Sequence, residues 1–219
     1  EAIGPDVNGF QVGDRIGYIT FRYGAYATHR NLPAVTAIRL PDSLDDQLAA
    51  TLLLKGLTVD MLLNRVHRIE AGQSILVHAA AGGVGLMLVQ WLKHIGATVI
   101  GTSGSAEKLA RLEKLGLDVG VQTRGTGFYE RVHEATGGKG VNLVVNNVGG
   151  TVFAECVRSL AFEGRLATVG YLDRTLTAEI DLAALHAKRL NLFGVSNKLR
   201  SPAQRAETVR AFERDFLPW

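Results

Sequence analysis

Apolar residues recur along this chain with two different periods. Behind Pro41-Asp42-Ser43-Leu44-Asp45-Asp46-Gln47, the residues Leu48, Leu52, Leu53, Leu57, Leu62, Leu63 and Val66 follow at three- and four-residue steps, interrupted by Lys55-Gly56. That spacing lines one face of a helix. Ser43 is positioned to cap it, and the acids after it favour the positive end of the helix dipole. From Ile75 onward the pattern changes to short apolar runs separated by helical stretches. Strands are predicted at 75–79, 98–102, 119–122, 141–146, 165–169 and 190–195, with helices near 84–95, 106–115, 127–135 and 151–160 between the first five. Such alternation is the signature of βαβ units and a parallel sheet. Leu143-Val144-Val145 is apolar on both faces, as a strand covered by helices on each side must be. Val84, Leu88, Trp91, Leu92 and Ile95 make one stripe, which Leu86, Met87 and Val89 widen nearly all round, so this helix is expected to be buried.

Residues 1–40 read differently. Short β pieces at 9–18 and at Gly24-Ala25-Tyr26-Ala27-Thr28 are punctuated by Gly and Asp. Forty such residues cannot close a barrel or a sandwich. The other end, Phe216-Leu217-Pro218-Trp219, stops just after a helix-like run. The chain is therefore expected to be a piece or a trimmed form of a longer protein, with a domain boundary near Leu40.

Composition narrows the function classes. Of 219 residues, 47% are hydrophobic and 21% charged, which excludes a disordered chain. No run approaches the roughly 18 apolar residues of a membrane helix. Glu1-Ala2-Ile3-Gly4-Pro5-Asp6 carries neither the basic nor the apolar part of a leader, so a cytoplasmic location is expected. The net charge is only +3, from scattered Lys and Arg, which argues against a nucleic-acid partner. Cys156 is the only cysteine, so neither a disulfide framework nor a zinc ribbon can form within the chain. Glycine is in excess, with 25 residues, implying sharp turns or close backbone approaches.

Candidate chemistry gathers after the first strand of the alternating series. There Ile75-Leu76-Val77-His78-Ala79 runs through Ala80-Ala81-Gly82-Gly83-Val84-Gly85 into a helix. The dinucleotide fingerprint G-x-G-x-x-G maps onto Ala80, Gly82 and Gly85, with alanine in the first glycine position. Gly82 lets the backbone approach a diphosphate, Gly85 lets the helix lie close on the strand, and the amides at the helix start hold the anion. A tight strand–helix turn without a ligand fits the same pattern. At the end of the second strand, where an NAD site places Asp or Glu, stand Thr102 and Ser103, followed by Gly104-Ser105-Ala106-Glu107-Lys108. Hydroxyls and a lysine suit the 2′-phosphate of NADPH, whereas Glu107 fits a role in the helix's first turn. Lys108 could also be an ordinary solvated lysine. The missing carboxylate counts equally against a methyltransferase.

The run His78-Ala79-Ala80-Ala81-Gly82-Gly83-Val84-Gly85, with Lys55-Gly56-Leu57-Thr58 upstream, closely resembles the zinc-free quinone oxidoreductases of the medium-chain dehydrogenase/reductase superfamily. The resemblance continues through Gly13-Asp14-Arg15, Gly24-Ala25-Tyr26-Ala27, Thr136-Gly137-Gly138-Lys139-Gly140, Asn147-Val148-Gly149-Gly150 and Gly164-Arg165. It implies an α/β fold: a doubly wound six-stranded Rossmann domain at 41–219, preceded at 1–40 by a remnant of a GroES-like substrate domain. It implies NADPH as cofactor and hydride transfer to a quinone or an α,β-unsaturated carbonyl. An enoyl-thioester reductase and a non-catalytic dinucleotide-binding protein are the alternatives. Residue by residue, Gly83 and Val84 match the diphosphate turn, and Gly104, Ser105 and Lys108 match the 2′-phosphate pocket. Asn147, Gly170 and Tyr171 match loop positions that line the cofactor. Thr123 stands where the family often has a tyrosine near the adenine, and Arg124 beside it is placed to compensate. Met61 corresponds to another family tyrosine, near the nicotinamide.

Zinc-dependent relatives carry a cysteine ligand where this chain has Lys55, Cys156 falls in an apolar helical run, and the histidines show no H-E-x-x-H pairing. No catalytic zinc is expected. Reduction builds negative charge on the acceptor oxygen, and Lys55 is the candidate donor there, or else a lysine that bonds nearby carbonyls beside the helix break. Gly149-Gly150 reads either as a second close-approach turn facing the cofactor or as a tight helix entry. The apolar edge strand near Leu190–Val195 is the expected homodimer interface, because open edges are normally paired or covered.

Overall fold

A single row of side chains crosses the main sheet: Val119, Ile100, Leu76, Val144, Leu166 and Leu192 are neighbours in register. The middle four have no exposed surface, as their apolar character on a two-sided sheet requires. The computed structural model describes residues 1–20, 23–196, 200–215 and 217. In chain order its elements are β1 (Ile16–Tyr18), β2 (Ala37–Arg39), α1 (Asp46–Asp60), β3 (Ser74–Val77), α2 (Gly83–Ile95), β4 (Thr98–Ser103), α3 (Ala106–Glu113) and β5 (Val119–Gln122). There follow α4 (Tyr129–Ala135), β6 (Val141–Asn146), α5 (Phe153–Ser159), β7 (Leu160–Thr168), α6 (Leu182–Ala187), β8 (Asn191–Gly194) and α7 (Pro202–Asp215). Among the described residues, six strands form one all-parallel sheet in the order β5-β4-β3-β6-β7-β8. This is the expected doubly wound α/β fold. No helix among the described residues is long and apolar enough to cross a membrane.

Two compact units divide the chain, Glu1–Met61 with Asn197–Trp219, and Leu62–Ser196. The division falls after Met61 and not near Leu40, because α1 packs on α7 and on β1 within the first unit. In that unit β1 and β2 pair antiparallel, with Gly17 opposite Ile38. The β piece expected at Gly24–Thr28 is instead a series of bends with Tyr23 and Tyr26 fully exposed, since these side chains have no face to bury. The strand lies later, where Ala37 and Ile38 are buried. Ser43 is not the helix cap: α1 starts two residues further on than that cap would set it, and Asp45 accepts the Leu48 N–H at 2.8 Å. A π-helical segment, Met61–Val66, follows α1.

The second unit holds the sheet. Its strands and helices lie within a few residues of their expected positions, with two exceptions. β7 begins at Leu160, because Leu160 pairs with Val141 across an irregular register that the polar Glu163-Gly164 hides in the sequence. α6 is too short to show an apolar stripe and buries none of its residues, and Asp181 caps it by accepting the Ala184 N–H at 2.9 Å.

Glu155, on α5, is a buried carboxylate whose oxygens accept the amides of Gly127 (2.8 Å), Phe128 (2.7 Å) and Tyr129 (2.6 Å) at the start of α4. α4 has no capping side chain of its own, so Glu155 supplies the acceptors its first amides lack and favours the positive end of its dipole. Glu155→Ala, which strands these donors, is expected to cost about 3 kcal/mol. Glu155→Gln, which keeps an acceptor oxygen, is expected to cost less. Urea unfolding measures both, and an unchanged midpoint in Glu155→Ala contradicts the assignment.

Candidate functional site

The chain leaves β3 to build β4 and β5 on one side of it, then returns to build β6, β7 and β8 on the other. The crevice at such a reversal, beyond the carboxyl ends of the strands, is where open α/β sheets bind ligands. Here the crevice is edged by the turn after β3, which is tied on both sides. The His78 N–H donates to Val145 O (3.0 Å) and the Asn147 side-chain amide to His78 O (3.1 Å), both from the β6 side. The Ala80 N–H donates to Thr102 O on β4 (2.9 Å). Ala79 adopts a left-handed conformation, with φ 51°, and its carbonyl accepts the Gly82 N–H at 2.9 Å.

Gly82 is the N-cap of α2 and offers no side chain to the helix start, so the first amides, those of Gly83, Val84 and Gly85, are open to an external acceptor. Gly82 and Gly83 are exposed. A Cβ on Gly85 would lie 2.5 Å from Ala80 O, so this position tolerates only glycine and brings the helix hard against the strand end. These features fit the diphosphate of a dinucleotide. Ala80 is fully buried, its amide is occupied by Thr102 O, and its methyl group packs where a side chain on Gly101 would be, so its visible role in the pattern is packing.

At the tip of β4 the hydroxyls divide. Both Thr102 and Ser103 are buried, but Thr102 turns towards His78, whereas Ser103 Oγ accepts the Ser105 N–H (3.4 Å) and the half-buried Ser105 caps α3 by accepting the Lys108 N–H (3.3 Å). Lys108 is exposed one turn into α3. Arg124 lies across Gly104: its Nε is 2.9 Å from the position a Cβ on Gly104 would occupy. Two cations thus flank a strand tip that bears no acid. Asp118 sits at the opposite end of β4, accepting the Val99 N–H and pairing with Lys93 at 2.8 Å. Thr123 binds its own loop, donating to Thr126 O (2.9 Å) and accepting the Gly125 N–H (3.1 Å), and so fixes the segment that carries Arg124.

At the tip of β6, Asn146 is fully buried and seals the next turn, accepting the amides of Val148 (2.9 Å) and Gly149 (3.0 Å) and donating to Gly149 O. Gly149, at φ 131°, is met by the Asp173 carboxylate, and Gly150 by the carbonyls of Thr175 and Thr177. The close approach at Gly149-Gly150 therefore receives the chain's own loop after β7. Asp173 accepts the amides of Thr151 (2.9 Å) and Thr175 (2.8 Å), and hydrogen bonding to Thr151 above all holds its carboxyl below the usual range. Gly170 and the exposed Tyr171 ride on this anchored loop. Lys55 belongs to the other unit, and its ammonium donates to Thr51 O, one turn back, at 2.6 Å. Among the described residues no three His, Cys, Asp or Glu side chains gather as a metal-ligating group.

One cluster was not legible in the sequence. His78 is buried beneath the glycine turn with Nδ1 3.0 Å from Thr102 Oγ1, Nε2 3.2 Å from Cys156 Sγ, and its ring edge-on to Phe128 at 4.6 Å. The only trace in the sequence is a polar residue ending an apolar strand. Burial pushes the imidazole down from 6.5 to about 4 and raises the Cys156 thiol. The folded protein therefore refuses a proton that the unfolded chain takes. The His78 contribution to stability is intact above pH 6.5 and is lost as the pH falls towards about 4, by up to roughly 3 kcal/mol. Urea midpoints measured across that window should fall more steeply in the wild type than in His78→Leu, and parallel curves contradict the assignment.

Comparison with known proteins accords with this geometry. The family profile described as zinc-binding dehydrogenase matches residues 83–213. A 2-haloacrylate reductase from Burkholderia sp is 39% identical over 173 residues, 78% of this chain and 52% of that protein. A quinone oxidoreductase from Salmonella typhimurium is 38% identical over 186 residues, 85% of this chain and 57% of that protein. The structure of an Escherichia coli quinone oxidoreductase complexed with NADPH superposes with a TM-score of 0.84 at 32% identity, covering 99% of this chain and 67% of that one. The chain thus spans between half and two thirds of the length of these relatives. On these matches, and on the uncapped glycine turn at the sheet's switch point, the chain belongs to the zinc-independent quinone oxidoreductase branch of the medium-chain dehydrogenase/reductase superfamily.

Proposed function

We propose that this chain carries the cofactor-binding part of an NADPH-dependent reductase that transfers hydride to a quinone or to a carbon–carbon double bond conjugated to a carbonyl. The observation that carries the reading is the pairing of an uncapped helix start at Gly82–Gly85 with an acid-free β4 tip flanked by Lys108 and Arg124. The first feature suits a diphosphate. The second suits the additional phosphate that separates NADPH from NADH. The bound dinucleotide supplies the hydride, and the protein supplies position and polarity. In this reading Gly83, Val84 and Gly85 hold the diphosphate through their amides. Ser103, Ser105, Lys108 and Arg124 take the 2′-phosphate, with Gly104 leaving room for Arg124 and Thr123 fixing its loop. Asn147, Gly170 and Tyr171 border the cofactor beyond β6 and β7. Lys55 is left outside the proposal because its ammonium is held by Thr51 O.

The acceptor class follows from chemistry shared by the relatives. Quinones and 2-haloacrylate, named in those proteins, are both conjugated acceptors in which hydride addition builds charge on an oxygen. The unit formed by Glu1–Met61 and Asn197–Trp219 is read as what this chain contains of the substrate domain. The edge strand β8, with Leu192 and Phe193 half-buried and no further strand beside it among the described residues, is read as a homodimer interface. A buried free thiol, Cys156, fits a reducing compartment and supports reading the protein as cytoplasmic.

Titration with NADPH and NADH, followed by tryptophan fluorescence, is expected to show tighter binding of NADPH. Lys108→Ala and Arg124→Ala should each weaken NADPH by about tenfold or more, the loss of a charge-assisted contact worth roughly 1.5–3 kcal/mol, and leave NADH nearly unchanged. Equal affinities in wild type and both variants contradict the 2′-phosphate assignment. With NADPH bound, oxidation should follow addition of quinones or enones in preference to enoyl thioesters, and the opposite order would move the assignment to an enoyl-thioester reductase. A monomer by light scattering at micromolar concentration would reject the dimer.

A further inference from the structure

Two polar side chains, His78 and Thr102, lie buried directly under the turn that is to receive the diphosphate, and the reading above gives neither a task. Burying an imidazole and a hydroxyl is costly unless every polar atom is satisfied. Here they satisfy each other and two neighbours. Thr102 Oγ1 accepts the Ala79 N–H at 3.3 Å and faces His78 Nδ1 at 3.0 Å, and His78 Nε2 faces Cys156 Sγ at 3.2 Å. A neutral imidazole carries one N–H, and both tautomers complete the row. With the proton on Nδ1, the ring donates to Thr102 and the Cys156 thiol donates to the ring. With the proton on Nε2, the Thr102 hydroxyl donates to the ring and the ring donates to sulfur. In both cases Thr102 Oγ1 keeps a lone pair for the Ala79 amide.

Ala79 is the point of strain. It is not a glycine, yet it sits at φ 51°, a left-handed conformation that an L-residue keeps only where its surroundings impose it. Its carbonyl then accepts the Gly82 N–H, and Gly82 is the residue that opens α2. The direction of the first amides of α2 thus depends on the conformation of Ala79, and the side-chain partner of the Ala79 amide is the Thr102 hydroxyl. The backbone bond from Ala80 N–H to Thr102 O would survive any side chain at 102, but the bond to Ala79 would not.

We propose that Thr102 and His78 are positioning residues of the dinucleotide site: the Thr102 hydroxyl, oriented by the buried His78, holds Ala79 left-handed and so aims the amides of Gly83–Gly85 at the diphosphate. This rests on the dinucleotide reading above. Thr102→Val keeps the shape of the side chain and removes the acceptor, and Thr102→Ser keeps the acceptor. In the 219-residue chain, Thr102→Val is expected to keep its circular dichroism while its NADPH Kd rises by about tenfold. Amide hydrogen exchange over residues 79–86 should speed up in the same variant. Thr102→Ser should restore both, and Cys156→Ala, one step removed from Ala79, should stay within about twofold of wild-type affinity.

An NADPH Kd for Thr102→Val within about twofold of wild type, or unchanged exchange over residues 79–86, overturns the positioning role. So does a Thr102→Ser variant that fails to recover. Should Thr102→Val not fold, Thr102→Ala against Thr102→Ser makes the same comparison. A wild-type chain that does not bind NADPH overturns the dinucleotide reading itself. The exchange measurement needs no cofactor, and it separates that failure from a failure of the Thr102–Ala79 contact.

Discussion

Helix α2 meets the end of β3 at Gly85, where even one methyl group would lie 2.5 Å from the Ala80 carbonyl oxygen. Much of the site depends on that contact. With the helix seated there, its amino end lies at the crevice where the strand order reverses, and its first amides are left without a capping side chain at Gly82. Ala80 then fills the space above Gly101 on the neighbouring strand, so one small-residue contact passes into the next. The run of small residues reads in the sequence as a weak glycine pattern. In the fold it is a stack in which each missing side chain makes room for a backbone segment.

Around this stack the polar groups of the unit are arranged so that few are left for chance ligands. Asn146 closes one turn, Asp173 ties the loop after β7 to Gly149-Gly150, and Glu155 caps α4 from another helix. The start of α2, by contrast, has no side chain capping it at Gly82. Beside it stand a strand tip that lacks an acid and two cations, Lys108 and Arg124. An anion-seeking helix end next to a positive strand tip is an electrostatic description of a phosphate-rich ligand, and it does not depend on any fold-level analogy.

Much of this was legible from spacing alone. The alternation from Ile75 to Val195 gave the parallel sheet, its six strands and four of its helices, because a strand buried on both faces must be apolar and an amphipathic helix must repeat every three or four residues. The role of Gly85 was equally readable, since a glycine at a strand–helix junction has few other uses. α6 escaped because it buries nothing, and the strand Ala37–Arg39 escaped because three residues are too few to show a period.

Other features needed the third dimension. The Gly149-Gly150 turn read equally as a close approach to a ligand or as a tight helix entry until the loop carrying Asp173 folded onto it, and Thr102 looked like a phosphate donor until its hydroxyl turned towards His78. Arg124 reaches Gly104 from the loop after the adjacent strand β5, and Cys156 reaches His78 across 78 residues of chain. By itself the sequence determined which segments are strands and helices and where the backbone could come close, because those depend on neighbours three or four residues away. Only the tertiary structure decided which close approaches stay open and which polar groups are already occupied, because those partners come from strands and loops that are distant along the chain and meet only when the sheet is assembled.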